Sequence, residues 1–182
     1  MEFKLVIKTL LAEFEKAKVR YALMGGFALG ALGIPRATVD IDFLVLRDDM
    51  ERVSGIMAGM GYRCVYKSEN VSQYVSSEKI FGEVDFLHAF RESSMGMLER
   101  AEDIKIFGEE LAIKVVKPED LIGLKVQAMA NDETRKAVDL ADIEALMAHY
   151  GTKLDWLVIE EYFSIFGMSE TAKELRRKYS GS

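Results

Sequence analysis

Residues 39–46 form an unbroken β-branched and apolar run except at Asp40 and Asp42, and this pattern constrains the chain more than any other. A run of that length and composition predicts a core strand, in which side chains alternate between two faces. Asp40 and Asp42 then project from one face, while Ile41 and Phe43 enter the apolar layer on the other. Two carboxylates at about 6 Å repel by roughly 3 kcal/mol at an effective dielectric near 20. Something cationic should sit between them, and magnesium, which takes oxygen ligands and shares them with phosphates, is the natural candidate. A loop calcium site or a helix cap is the competing reading for an Asp-x-Asp taken alone.

A third carboxylate, Asp85, lies in Gly82-Glu83-Val84-Asp85-Phe86-Leu87, a second predicted core strand with Val84 and Phe86 facing away from it. If the two strands pair, three acids meet on one face. They could then hold two metal ions, one at an attacking hydroxyl and one at phosphate oxygens. A solvent-facing strand aspartate is the plain alternative for Asp85.

Upstream, residues 21–24 read as a buried strand ending at Gly25-Gly26, with a short helix expected over 27–32. Backbone N–H groups there could receive phosphate oxygens. Arg36 and Thr38 add a guanidinium fork and a hydroxyl in the loop just before the aspartates, although Arg36 also fits an ordinary surface loop. Elsewhere the pattern predicts an opening helix with Phe3, Ile7, Leu10, Leu11 and Phe14 on one face. Asp48 and Glu51 form a plausible capping pair for a helix carrying Met50, Val53, Met57 and Met60. Strands are expected over 62–67, 71–76 and 83–87, a short helix over 92–101, and a hairpin over 105–116 turning at Gly108-Glu109. Beyond Pro118 only helices are expected, near 118–130, 133–149, 153–165 and 169–179. The organisation is therefore α+β: a mixed-sheet core over 1–116 flanked by helices, then a helical portion over 117–182 packed on it.

Composition closes several alternatives. Thirty acidic against 24 basic residues give a formal charge of −6, which supplies no general attraction to nucleic acid or an anionic membrane. Cys64 is the single cysteine, which excludes internal disulfides and cysteine-rich zinc sites and suits a reducing cytoplasm. The longest uncharged run, 21–35, is too short and too glycine-rich for a membrane span. His88 and His149 lack metal-ligand spacing and read as structural or exposed. Arg176, Arg177 and Lys178 read as charges complementing a helix end.

The glycine pair, the thirteen residues between Gly26 and Asp40, and Asp40-Ile41-Asp42 together resemble the signature of the DNA polymerase β superfamily of nucleotidyltransferases. With Arg36 and Thr38 in place, the variant is similar to small antibiotic nucleotidyltransferases and AbiEii-type toxins. The resemblance implies a polymerase β-like mixed sheet. It also implies triphosphate contacts at Gly25 and Gly26 and two Mg2+ ions held by Asp40, Asp42 and Asp85. Residues 118–125 and 139–143 resemble the helical motif of the AbiEii-type group, in which a lysine accompanies Arg-Asp-x-x-Asp. Lys125 matches the lysine, and is read either as a phosphate ligand or as a helix lysine with its head in solvent. Val138 stands at the arginine position, with Arg135 and Lys136 the nearest basic residues.

The expectation is a metal-dependent enzyme that moves a nucleoside monophosphate from an NTP to an acceptor hydroxyl, releasing pyrophosphate. The acceptor is left open among a small molecule, a transfer RNA end and a protein. The alternative is a non-catalytic nucleotide-binding or toxin–antitoxin module of the same fold, with an antitoxin as partner.

Overall fold

In the computed structural model, which describes residues 1–78 and 80–181, the chain divides into two units, Met1–Val116 and Lys117–Ser182. The first contains α1 (Phe3–Ala17), β1 (Tyr21–Met24), α2 (Gly25–Ala31), β2 (Asp40–Leu46), α3 (Met50–Gly59), β3 (Tyr62–Lys67), β4 (Val71–Ser76), β5 (Glu83–Ala89), α4 (Glu92–Arg100), β6 (Glu102–Ile106) and β7 (Leu111–Val115). Its strands form one mixed sheet in the order β3-β4-β5-β2-β1-β7-β6. The architecture is α+β, as the strand and helix periodicities predict.

Burial on both faces explains the central place of β2. Ile41, Phe43, Leu44 and Val45 are fully buried, so no position is open for this strand at a sheet edge. It pairs antiparallel with β1 and parallel with β5, in a register that sets Asp42 opposite Asp85 and Asp40 opposite Glu83. On the other face Phe43 stacks on Phe86 with ring centroids 5.9 Å apart, and Phe14 from α1 meets Phe43 edge-on at 5.6 Å. Offset and edge-on aromatic contacts of this kind contribute beyond their buried area. They hold β2 and β5 together directly beneath the acidic face.

Two local expectations need correction. The helix expected over 27–32 begins at Gly25, so the glycine pair is its first turn rather than a separate reversal. Asp48 caps nothing: α3 starts after a 3-10 turn, Arg47–Asp49, and its N-cap residue, Asp49, makes no side-chain cap. Asp49 is buried instead, accepting a 2.7 Å hydrogen bond from the Arg20 backbone N–H and pairing with the Arg52 guanidinium. A buried carboxylate with charged donors available satisfies itself there rather than at a helix end.

The second unit is helical: α5 (Pro118–Asn131), α6 (Lys136–Tyr150), α7 (Trp156–Ile165) and α8 (Ser169–Tyr179). Pro118 occupies the first turn of α5, where its missing N–H costs no hydrogen bond. Asp155 caps α7 by accepting from the N–H groups of Leu157 and Val158. Within the unit the Tyr162 hydroxyl donates to buried Asp120 at 2.7 Å. Among the described residues no helix is long and apolar enough to cross a membrane.

Candidate active site

The β2–β5 register builds the site. Alternation puts Asp40 and Asp42 on one face of β2 and Glu83 and Asp85 on the same face of β5. The result is a rectangle of four carboxylates drawn from two parallel neighbours. Asp40, Asp42 and Asp85 are half-buried and Glu83 is exposed. Glu83 was not singled out in the sequence, although Glu83-Val84-Asp85 repeats the acid–apolar–acid alternation of Asp40-Ile41-Asp42.

Each aspartate leans on a neighbour of its own. Thr38 Oγ1 donates to Asp40 Oδ1 at 2.5 Å, and Gln73 Nε2, on the other side of β5, donates to Asp85 Oδ2 at 2.8 Å. Asp42 lies over Gly25: a Cβ at that residue would run into the Asp42 carboxylate, and φ there is +70°. Close approach and left-handed backbone both require glycine at this position. A Cβ on Gly26 would lie 2.8 Å from Thr38 Oγ1. The glycine pair thus admits two side chains of the site itself. Gln73, too, was missed in the sequence. Its only signal there is a lone amide in the strand 71–76.

Electrostatics follow the geometry. Burial pushes the Asp85 carboxyl above its ordinary 3.8, the Gln73 hydrogen bond pulls it back, and the negative charges of Asp40 and Glu83 raise it further. Such a face favours any cation that joins it. The donor set, carboxylate oxygens from two strands, fits a hard divalent ion such as Mg2+. Among the described residues no three acidic, histidine or cysteine side chains already converge as a metal-holding group.

Of the other residues singled out in the sequence, Arg36 lies on the exposed loop before β2 and its Nη1 donates to the Ala37 carbonyl at 2.8 Å. Lys125 belongs to the helical unit, and its head is not in solvent. It is buried, its Nζ donating to Asp139 at 3.0 Å and Asp142 at 2.6 Å. Arg135, one turn before Val138, donates from Nε to the second Asp139 oxygen at 3.0 Å, while Val138 is exposed. His88 is structural, as expected. Its Nδ1–H donates to the Glu69 carbonyl, and its Nε2 accepts from the fully buried Ser72 hydroxyl.

A family model described as "Uncharacterised nucleotidyltransferase" matches residues 4–172. No curated protein matches the sequence. Among solved structures, the chain is similar to the antibiotic-resistance factor ANT(2'')-Ia, with a TM-score of 0.70 and 18% identity over 98% of this chain and 99% of that one. It is also similar to an antigenic nucleotidyltransferase-like protein from Paracoccidioides brasiliensis, with a TM-score of 0.58 and 15% identity over 98% and 93% of the two chains. The lincosamide antibiotic adenylyltransferase LnuA, solved with lincomycin bound, gives 0.52 and 20% over 77% and 93%. At these identities the likeness is one of fold.

Proposed function

Because the chain belongs to this uncharacterised nucleotidyltransferase family, we propose that its acidic face catalyses transfer of a nucleoside monophosphate from an NTP to an acceptor hydroxyl, with release of pyrophosphate. The single observation that carries the reading is the in-register pairing of Asp42 with Asp85, with Asp40 on the same face and Gly25 beside Asp42.

Asp40, Asp42 and Asp85 would hold the divalent ions, Mg2+ by the chemistry of the donors. Bound there, such ions supply charge neutralisation on the phosphates and a more acidic acceptor hydroxyl. The chain's own groups do the rest. Asp85, in register with Asp42 across the β2–β5 pair, is the carboxylate suited to take the hydroxyl proton as the new bond to the α-phosphorus forms. Gly25 and Gly26 keep the backbone open to phosphate oxygens, and the Arg36 guanidinium and Thr38 hydroxyl orient the phosphates or ribose. Glu83 adds negative charge at the rim. Lys125, held between Asp139 and Asp142, serves the helical unit as their counter-charge.

The test is a pyrophosphate-release assay with each NTP, Mg2+ and a mixed set of hydroxyl acceptors, run on the full chain and on Asp42→Asn. Turnover in the native chain that disappears in the variant, with the circular dichroism spectrum unchanged, is the expected result. Full activity in the variant would reject the assignment. NTP binding without turnover under any acceptor would favour the non-catalytic module.

A further inference from the structure

Beside the acidic face the first unit carries a cleft of about 610 Å3 between α2, the loop before β2 and the β6–β7 hairpin. Three phenylalanines from three separate elements meet along it. Phe3 of α1 and Phe27 of α2 have ring centroids 5.1 Å apart, and Phe27 and Phe107 of the hairpin 6.0 Å. All three are half-buried, so each leaves part of a ring uncovered. An aromatic run built from distant parts of the chain and left open is the usual lining of a small-molecule site. The hairpin turn that presents Phe107 is itself unusual. Phe107, Gly108 and Glu109 all have positive φ, at 52°, 70° and 72°, a backbone that side chains other than glycine rarely adopt.

Chemistry at the mouth narrows the occupant. Arg36 and Thr38 line the cleft, and Thr38 is the residue that donates to Asp40. A molecule lying on the rings and touching Thr38 is thus one side chain away from the acidic face. Lys105 is paired with Glu109 at 3.2 Å, so the far end of the cleft offers little net charge to a polyphosphate. The volume falls within the roughly 300–1,000 Å3 of drug-sized ligand sites, far more than one heterocyclic base requires.

We propose that this cleft seats the acceptor, and that the acceptor is a small molecule with a flat, apolar ring system bearing a hydroxyl. The proposal rests on the nucleotidyl-transfer reading above. In the step it implies, the acceptor oxygen bonds to the α-phosphorus of the NTP as the bond from that phosphorus to the bridging oxygen breaks. Pyrophosphate leaves with the electron pair, and the hydroxyl proton passes to a carboxylate of the site.

The experiment uses 7-hydroxy-4-methylcoumarin as probe, titrated by fluorescence against the full chain, Phe107→Ala and Gly30→Leu. Gly30 lines the cleft, and a Cβ there meets nothing within 4 Å, so leucine enters open space instead of clashing. Saturable binding that weakens at least tenfold in both variants, while ATP affinity measured by calorimetry with Mg2+ holds, is the expected result. Absence of saturable binding, affinity in either variant unchanged from that of the native chain, or competitive displacement of the probe by ATP would overturn the proposal, the last by assigning the cleft to the nucleobase. Probe binding is read without turnover. A chain that binds the coumarin in the cleft but releases no pyrophosphate with any acceptor therefore counts against the proposed function, not against the cleft.

Discussion

Replacing Gly25 by alanine tests the construction of the site at its tightest point. An L-residue held at φ +70° costs about 1–2 kcal/mol. The new methyl also has to displace the Asp42 side chain, three of whose atoms occupy its place, and overpacking of this kind costs about 1–3 kcal/mol. Gly25→Ala should therefore destabilise the first unit by about 2–5 kcal/mol. The two contributions separate in a double-mutant cycle with Asp42→Gly, which removes all three clashing atoms, the carboxylate oxygen, its carbon and the Cβ. In that background only the backbone penalty of about 1–2 kcal/mol should remain. Urea unfolding followed by a fluorine tag on Cys64, exposed on β3, reads this unit alone. A cost below about 0.5 kcal/mol, or the same cost in both backgrounds, would refute the account of why glycine stands there.

Three further outcomes are expected. Burial holds the His88 imidazole below its ordinary 6.5, so the unfolded chain binds the extra proton first. The stability this contributes is complete above pH 6.5 and drains away as pH falls through the folded value, and His88→Asn should flatten that slope in Cys64-tag unfolding curves. Gln73→Leu removes the one hydrogen bond that holds the Asp85 carboxyl down, so its midpoint should climb further in a carbon-13 titration; an unmoved midpoint would contradict the assignment. Lys125→Met leaves Asp139 and Asp142 buried without their shared cation and should cost about 3–5 kcal/mol. Fluorescence of Trp156, the single tryptophan and a residue of the helical unit, monitors that unfolding; a loss under about 1 kcal/mol would mean the buried carboxylates find other partners.

Much of this geometry was legible in residue order, because period-two alternation leaves an aspartate in an apolar strand only one face to occupy. Asp40 and Asp42 could be paired on that ground alone, and the opening helix and the proline-led α5 could be placed by the same kind of reasoning. What escaped was whatever depends on which strand lies next to which. Gln73 acquires meaning only because β4 pairs with β5, Glu83 only because β2 and β5 run parallel, and the phenylalanine run only because α1, α2 and a hairpin converge. Gly25 could be read as a turn, but not as a residue whose missing methyl is filled by a carboxylate. Lys125 escaped for a related reason: nothing in a helical pattern distinguishes a lysine reaching water from one neutralised by two acids a helix away.

The parallel direction of β2 and β5 has a consequence for how the protein comes into being. No short hairpin can join two such strands, so the chain leaves β2, builds α3 and the β3–β4 arm, and returns roughly forty residues later to complete the ladder. During synthesis the first pair of aspartates emerges well before its counterpart. A nascent chain therefore gains its full acidic quartet only once β5 has docked beside β2.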